Sequence, residues 1–134
     1  MRQDMLKIII PVERFEGKDS FISNHFGRAP EFALVEISEN RSLRNISPVK
    51  NVEEHFGGHG TAERIVSNLK PDIIIVKGMG PRAMQIFQSM GVSVYTGDCM
   101  TIGEAIEAYF AGRLFKLNEP CKEAGHGSSQ CYHP

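Results

Sequence analysis

Residues 72–81, DIIIVKGMGP, contain the strongest strand signal in the chain. Three isoleucines and a valine form a short apolar run of β-branched residues, which predicts a buried strand over residues 72–77. The glycines that follow end at Pro81, a residue favoured at the first position of a helix, so residues 81–90 are predicted to be helical and Gly91 to cap them. A strand that leads directly into a helix is typical of a parallel sheet in an α/β fold.

Helical spacing and a further strand flank this segment. Four apolar residues predict a helix over residues 61–70, and residues 92–96 predict a strand. The sequence TIGE at residues 101–104 has the spacing of a capping box, which predicts a third helix over residues 102–111. The second half of the chain is therefore predicted to consist of βα units with right-handed crossovers.

The first part of the chain is predicted to be mainly strands. Residues 6–12 form an apolar run, and residues 31–38 alternate between the two faces of a predicted strand. Residues 43–49 are more polar, and they follow residues 31–38 closely enough to form a hairpin with them. Residues 13–30 are predicted to be a loop. The order β-ββ-α-β-α-β-α predicts an α/β domain over residues 1–117, with one mixed five-stranded sheet flanked by helices.

Composition narrows the class of protein. The 134 residues suffice for one domain, and 41% hydrophobic with 23% charged residues is a globular balance. A net charge of -1 argues against non-specific nucleic-acid binding, and no apolar run reaches the roughly 20 residues of a membrane span. Without a signal-peptide pattern, the chain is predicted to be cytoplasmic. Three cysteines suit thiol or metal chemistry better than a disulfide framework.

The first candidate site is the loop SNHFGRAP at residues 23–30. His25 could bind a metal or donate a hydrogen bond, and Arg28 could hold an anion. The alternative is a purely structural loop in which Phe26 fills the core and Gly27 makes a turn. Composition alone favours that alternative.

The second candidate site is the glycine-rich stretch before the helix at residues 61–70. Successive glycines let several backbone N–H groups point at one anion, and the helix dipole adds partial positive charge. The residues are Gly57, Gly58, His59 and Gly60. His59 could supply a proton, a hydrogen bond or a metal bond, whereas a flexible loop explains the same glycines equally well.

The third candidate site is GMGPRA at residues 78–83, between a strand and a helix. It could bind an anion, and it also fits the dinucleotide pattern G-x-G-x-x-G/A, with Asp98 placed to hold a ribose. However, the motif follows the fourth strand, Pro81 lacks a donor, and half of a dinucleotide fold is missing. A nucleotide-binding enzyme that uses this loop is therefore the alternative interpretation.

The last 17 residues, 118–134, are predicted to be a flexible tail. Two thiols and two imidazoles there suit zinc or another soft metal: Cys121, His126, Cys131 and His133. A zinc-binding regulatory or interaction module is a second alternative, and incidental residues in a disordered end are a third. Cys99 precedes the N-cap Thr101, where a helix dipole could stabilise a thiolate, although such a cysteine is more often simply packed.

Four motifs occur together and in order: IIIPV at residues 8–12, S-x-HFGRAP-x-F at 23–32, GGHG at 57–60 and GMGPRA at 78–83. This set resembles the dinitrogenase iron–molybdenum cofactor biosynthesis family, the NifX-like group that includes the C-terminal part of NifB. The resemblance covers about residues 5–117. It implies a ribonuclease H-like motif with sheet order 3-2-1-4-5 and an antiparallel second strand.

The resemblance also implies a cytoplasmic, non-catalytic protein that binds, carries or inserts a metal cluster, with a cluster-donor or acceptor protein as its partner. The family's motifs fall on His25, Gly27 and Arg28, on Gly58, His59 and Gly60, and on Gly78, Gly80 and Arg82. With Gly57, these residues would hold an iron–sulfur, iron–molybdenum or thiomolybdate cluster, and His25 or His59 could bind its metal directly. The first loop carries no cysteine, so the tail could supply thiolates.

Overall fold

The computed structural model describes residues 5–51 and 60–117. Within these ranges the elements are β1 (Leu6–Val12), β2 (Glu31–Ile37), β3 (Leu43–Lys50), α1 (Thr61–Leu69), β4 (Ile73–Ile75), α2 (Pro81–Ser89), β5 (Ser93–Thr96), α3 (Ile102–Ala111) and β6 (Phe115–Lys116). The strands form one sheet in the order β3-β2-β1-β4-β5-β6. None of the helices in the described ranges is long and apolar enough to cross a membrane.

The predicted mixed α/β fold is confirmed, as are the strand order 3-2-1-4-5 and the antiparallel second strand. The predicted number of five strands was wrong, because Phe115–Lys116 add β6 antiparallel to β5. Two exposed residues carry no apolar pattern that could reveal a strand. Backbone pairing forms it instead, and next to it the Leu117 amide donates to the Val94 carbonyl at 2.7 Å. The finer ribonuclease H-like description stays a prediction.

Side-chain alternation divides the core between the two faces of the sheet. On β1, Ile8, Ile10 and Val12 point to one face and Ile9 to the other. Helix α3 covers the first face, whereas α1 and α2 cover the second. Strands covered on both faces need apolar side chains at every position, which is why β1 and β4 read as continuous apolar runs.

The strand order also fixes the edge at which loops from both halves of the chain meet. Strand β1 pairs antiparallel with β2 on one side and parallel with β4 on the other. Glu31 at the start of β2 lies opposite Val12 at the end of β1, so the loop before β2 reaches the same edge as the loop after β4. Ligands in open α/β sheets bind at this kind of edge, where connections diverge from neighbouring parallel strands.

The backbone amides at the start of α3 find hydrogen-bond acceptors within the protein itself. The hydroxyl of Thr101 accepts a hydrogen bond from the amide of Glu104 at 3.3 Å, as the predicted capping box requires. The Glu104 carboxylate accepts from the amide of Met100 at 2.7 Å, one residue before the N-cap amide that a complete capping box would use. The amide of Gly103 donates to the Lys18 carbonyl at 2.9 Å, and the amide of Ile102 donates to the Ser20 carbonyl at 3.0 Å. No first-turn donor of α3 is therefore reserved for a ligand.

Candidate functional site

A groove of about 530 Å³ opens at the edge where the loops meet. Its described walls are the loop before β2, the start of α1, and the β4–α2 loop with the first two turns of α2. These walls bring together seven of the predicted site residues: His25, Gly27, Arg28, Gly60, Gly78, Gly80 and Arg82. Segments that are far apart in sequence thus share one cavity.

Phe26 anchors the first wall. Its ring is 4% exposed and lies edge-on to Phe87 of α2, with 5.5 Å between the ring centroids, and 5.3 Å from Phe32 of β2. The flanking His25 and Arg28 are exposed and line the groove. The structural interpretation of Phe26 as a core residue is therefore confirmed, and its burial holds the neighbouring polar side chains at the cavity.

Two buried polar side chains, which the sequence analysis missed, hold this loop from behind. The side-chain amide of Asn51 donates to the carbonyls of Gly27 at 3.0 Å and Ala29 at 2.7 Å. The hydroxyl of Ser23 accepts from the amide of His25 at 3.1 Å. Asparagine after a strand and serine in a loop are common turn residues, so their sequence positions carry no signal of this role.

The second wall is the start of α2. Its N-cap Gly80 has an extended backbone, with φ -70° and ψ 162°, and provides no side-chain cap. Unlike the first-turn amides of α3, the amides of Gly78, Met79, Gly80 and Ala83 donate to no residue of the described ranges. Such donors at a helix start suit an anion. Arg82 lines the groove from the first turn of the same helix.

The third wall is the start of α1. Gly60 is its N-cap, with a left-handed φ of 83° that favours glycine, and no side chain caps the helix there. Two helix starts therefore border one cavity, and each contributes partial positive charge. Three of the predicted site residues, Gly57, Gly58 and His59, lie outside the described residues.

The described lining of the groove is cationic. Arg28 and Arg82 are both exposed there, and no aspartate or glutamate is among the lining residues within the described ranges. Asp98, which the dinucleotide pattern would require beside a ribose, is exposed and does not line the cavity. Among the residues that the structure describes, the GMGPRA motif thus has hydrogen-bond donors for an anion but no neighbouring carboxylate of the kind that dinucleotide recognition uses.

Metal ligands are sparse in the described part of the chain. No group of three or more His, Cys, Asp or Glu side chains that could hold a metal ion occurs within residues 5–51 and 60–117. Cys99 is buried against the α3 side of the sheet, and burial, followed by the nearby Glu104 charge, raises the pKa of its thiol. The packed interpretation of Cys99 therefore holds over the thiolate one. The predicted tail ligands Cys121, His126, Cys131 and His133 lie outside the described residues.

Three comparisons place the chain among known proteins. The family model described as dinitrogenase iron–molybdenum cofactor matches residues 6–112. The uncharacterized protein MJ0580 of Methanocaldococcus jannaschii is 31% identical over 120 residues, which cover 87% of this chain and 96% of that protein.

Two solved structures are similar to this chain in both fold and sequence. The crystal structure of PH0822 has 31% sequence identity and a TM-score of 0.70, covering 83% of this chain and 96% of its own. The NMR structure of a candidate NifB protein from Thermotoga has 28% identity and a TM-score of 0.67, covering 88% of this chain and 98% of its own. Since the family model spans most of the chain, the protein belongs to the dinitrogenase iron–molybdenum cofactor family.

Proposed function

We propose that this protein binds an anionic metal–sulfur cluster in the groove and carries or scaffolds it for cofactor assembly. Family membership supports an accessory role linked to cofactor biosynthesis. The observation that carries the finer proposal is the groove itself, where two arginines and two helix starts face one cavity. The cluster is cargo, received from a donor protein and delivered to an acceptor protein, in the cytoplasm.

The chemistry of the groove matches a sulfide-rich anion. Guanidinium groups and backbone N–H groups both donate hydrogen bonds to negative charge, and such bonds are about twice as strong as neutral ones. A volume of about 530 Å³ lies within the range of small-ligand sites, roughly 300–1,000 Å³. The partly buried Met79 and Ile86 add apolar surface to the lining, which suits a polarisable sulfide better than a strongly hydrated oxyanion.

The hydrogen-bond donors of the groove suit a preassembled cluster better than a cluster that needs protein thiolates as ligands. Iron–sulfur clusters are usually held by cysteine. Among the described lining residues there is no cysteine, whereas His25 offers one imidazole. A thiomolybdate brings its own sulfur ligands, so the groove can hold it by hydrogen bonds and charge alone. A bound iron–sulfur cluster would instead draw on thiolates from Cys121 or Cys131.

We propose further that the protein is not an enzyme. The described groove offers donors for holding an anion, and its one imidazole, that of His25, has no described nucleophile beside it in the lining. Catalysis usually requires a nucleophile with an adjacent base, or an acid and base matched to the reacting group. Holding and releasing a cluster requires neither.

Anaerobic titration with tetrathiomolybdate tests the proposal. We expect binding by calorimetry, with the visible absorbance of the anion co-eluting with the protein on a desalting column. Arg28→Ala and Arg82→Ala should each weaken binding about 10- to 100-fold, because a hydrogen bond to a charged group contributes about 1.5–3 kcal/mol. Arg44→Ala, an exposed arginine of β3 outside the groove, is the matched control and should bind normally.

Parallel titrations with NAD and ATP separate the proposed function from nucleotide binding. A thermal shift with a nucleotide, and none with tetrathiomolybdate, would favour the enzyme alternative. Equal binding by the wild type, Arg28→Ala and Arg82→Ala would show that the cargo does not sit in this groove.

A further inference from the structure

The glycines among the described residues differ in the structural constraint that favours glycine at their position. Gly17, Gly60, Gly91 and Gly112 have left-handed φ values between 61° and 83°, which side chains rarely adopt. A Cβ at Gly97 would stand 2.7 Å from Cδ2 of Leu114. The four left-handed glycines therefore have a conformational reason within the protein itself, and a side chain at Gly97 would require the end of the Leu114 side chain to shift.

Gly78 and Gly80 have neither reason. Their φ values lie outside the left-handed region, and Gly80 has the extended backbone that most residues adopt before a helix. A Cβ built at either position meets no heavy atom of the described residues within 4 Å. Residues 5–51 and 60–117 would therefore accept a side chain at both positions without a left-handed backbone or a steric clash.

Both glycines line the groove. The space beside their Cα atoms is open, so a ligand in the groove can approach the backbone there without meeting a side chain. Glycine without an internal reason commonly marks a site where a ligand approaches the backbone closely.

We infer that Gly78 and Gly80 set the size of the anion that the groove admits. The bound anion occupies the space in which a Cβ at either position would stand, in van der Waals contact with the backbone. This inference rests on the proposed function and deepens it by naming the two backbone positions that the anion contacts. The ligand is a compact inorganic thioanion that reaches the β4–α2 loop directly, without an intervening side chain.

Two substitutions isolate the steric effect from stability. Gly78→Ala adds one methyl group at a position where the backbone accepts it, so its Tm should equal or exceed that of the wild type. Gly80→Ser places a favoured N-cap residue at the start of α2, so its Tm should also be preserved or raised. Both variants should bind tetrathiomolybdate at least tenfold more weakly than the wild type.

Gly91→Ala is the matched control. Gly91 follows the other end of α2, has a φ of 79° and does not line the groove. Its substitution by alanine should lower the Tm because of the left-handed backbone, yet leave tetrathiomolybdate binding unchanged. The groove variants and the control are thus expected to show opposite patterns of stability and affinity.

Each outcome decides between the two proposals. If the wild type fails to bind tetrathiomolybdate, the proposed function is wrong and this inference falls with it. If the wild type binds and Gly78→Ala and Gly80→Ser bind equally well, the anion does not touch this loop and only the inference is wrong. A lower Tm in both groove variants would also overturn it, because the glycines would then have a structural reason.

Discussion

At the scale of single residues, one buried amide holds the loop that carries His25 and Arg28. Asn51 is 8% exposed, and its Nδ2 donates to two backbone carbonyls on either side of Arg28. Buried carbonyls that lose their donor carry a desolvation cost, so the loop is most stable in the position where it lines the groove.

Asn51→Ala should therefore lower both stability and affinity. Leaving the carbonyls of Gly27 and Ala29 without the amide costs about 1–3 kcal/mol, and the freed loop should bind tetrathiomolybdate less tightly. Chemical denaturation and calorimetry measure the two effects. Asn45→Ala is the control, since the Asn45 amide contacts Glu36 in an exposed pair at 3.3 Å and should matter little. Wild-type stability in Asn51→Ala would contradict the proposed positioning role.

Sequence patterns identify the exposed side chains that line the groove better than the buried side chains that hold the loop in position. His25, Arg28 and Arg82 could be predicted to lie near one another because glycine-rich loops at strand ends meet at one edge of a sheet. Asn51 and Ser23 could not be predicted, because nothing in their neighbours distinguishes a buried asparagine or serine from a surface turn residue. Their roles depend on contacts between segments that only folding brings together.

Cys99 provides a second test at this scale. Burial raises the pKa of its thiol above the ordinary value of 9.0, so the folded state favours the neutral form. The stabilisation is complete below the unfolded pKa and is lost as the pH rises through the higher folded pKa. We expect the free energy of unfolding to fall above about pH 9, and less so in Cys99→Ala than in the wild type, after allowing for the cavity that alanine leaves.

Thiol modification measures the same property independently. In a Cys121→Ser, Cys131→Ser background, Cys99 is the remaining cysteine of the sequence. An aromatic disulfide reagent should modify it slowly in the native protein and rapidly in denaturant, because the thiolate is the nucleophile. Fast native modification at neutral pH would mean that the thiol is accessible and ionised.

At the scale of elements, the bounds of α3 were predicted correctly because local chemistry defines both of its ends. Helix α3 runs from Ile102 to Ala111 as predicted, because Thr101 caps its start and Gly112 adopts φ 73° at its end. Strand β4 is shorter than predicted, since its pairing with β1 and β5 spans Ile73–Ile75 and not the whole apolar run. Pairing partners, which a local pattern does not contain, set strand ends.

Thr101→Ala measures how much the cap contributes. Loss of the hydroxyl acceptor for the Glu104 amide should destabilise the protein by about 1 kcal/mol and lower the Tm by a few degrees. Since α3 covers the sheet face opposite α1 and α2, tetrathiomolybdate affinity should stay unchanged. Thr101→Ser keeps the acceptor and should retain most of the stability. A matching loss in both variants would locate the effect in the methyl group instead.

At the scale of the whole molecule, strand order assembles the groove. Strand β1 has β2 on one side and β4 on the other, so the loops before β2 and after β4 reach the same edge although about 50 residues separate them. The family resemblance had implied this convergence, because it assigned all three motifs to one bound cluster. The sixth strand, β6, extends the far end of the sheet and leaves the groove unaffected.

The groove and the cysteines of residues 118–134 represent two separable sources of affinity. A thiomolybdate carries its own sulfur, whereas an iron–sulfur cluster assembled from iron and sulfide requires thiolates. Cys121→Ser combined with Cys131→Ser should therefore leave tetrathiomolybdate binding within about twofold of the wild type and abolish the visible absorbance gained on anaerobic reconstitution with iron and sulfide. Arg28→Ala should show the opposite preference, with weaker tetrathiomolybdate binding.

Elemental analysis of each variant distinguishes zinc from iron and molybdenum. If the double cysteine variant lost tetrathiomolybdate binding, the cargo would depend on thiolate ligation, and the arginines and backbone amides of the groove could not be its principal ligands.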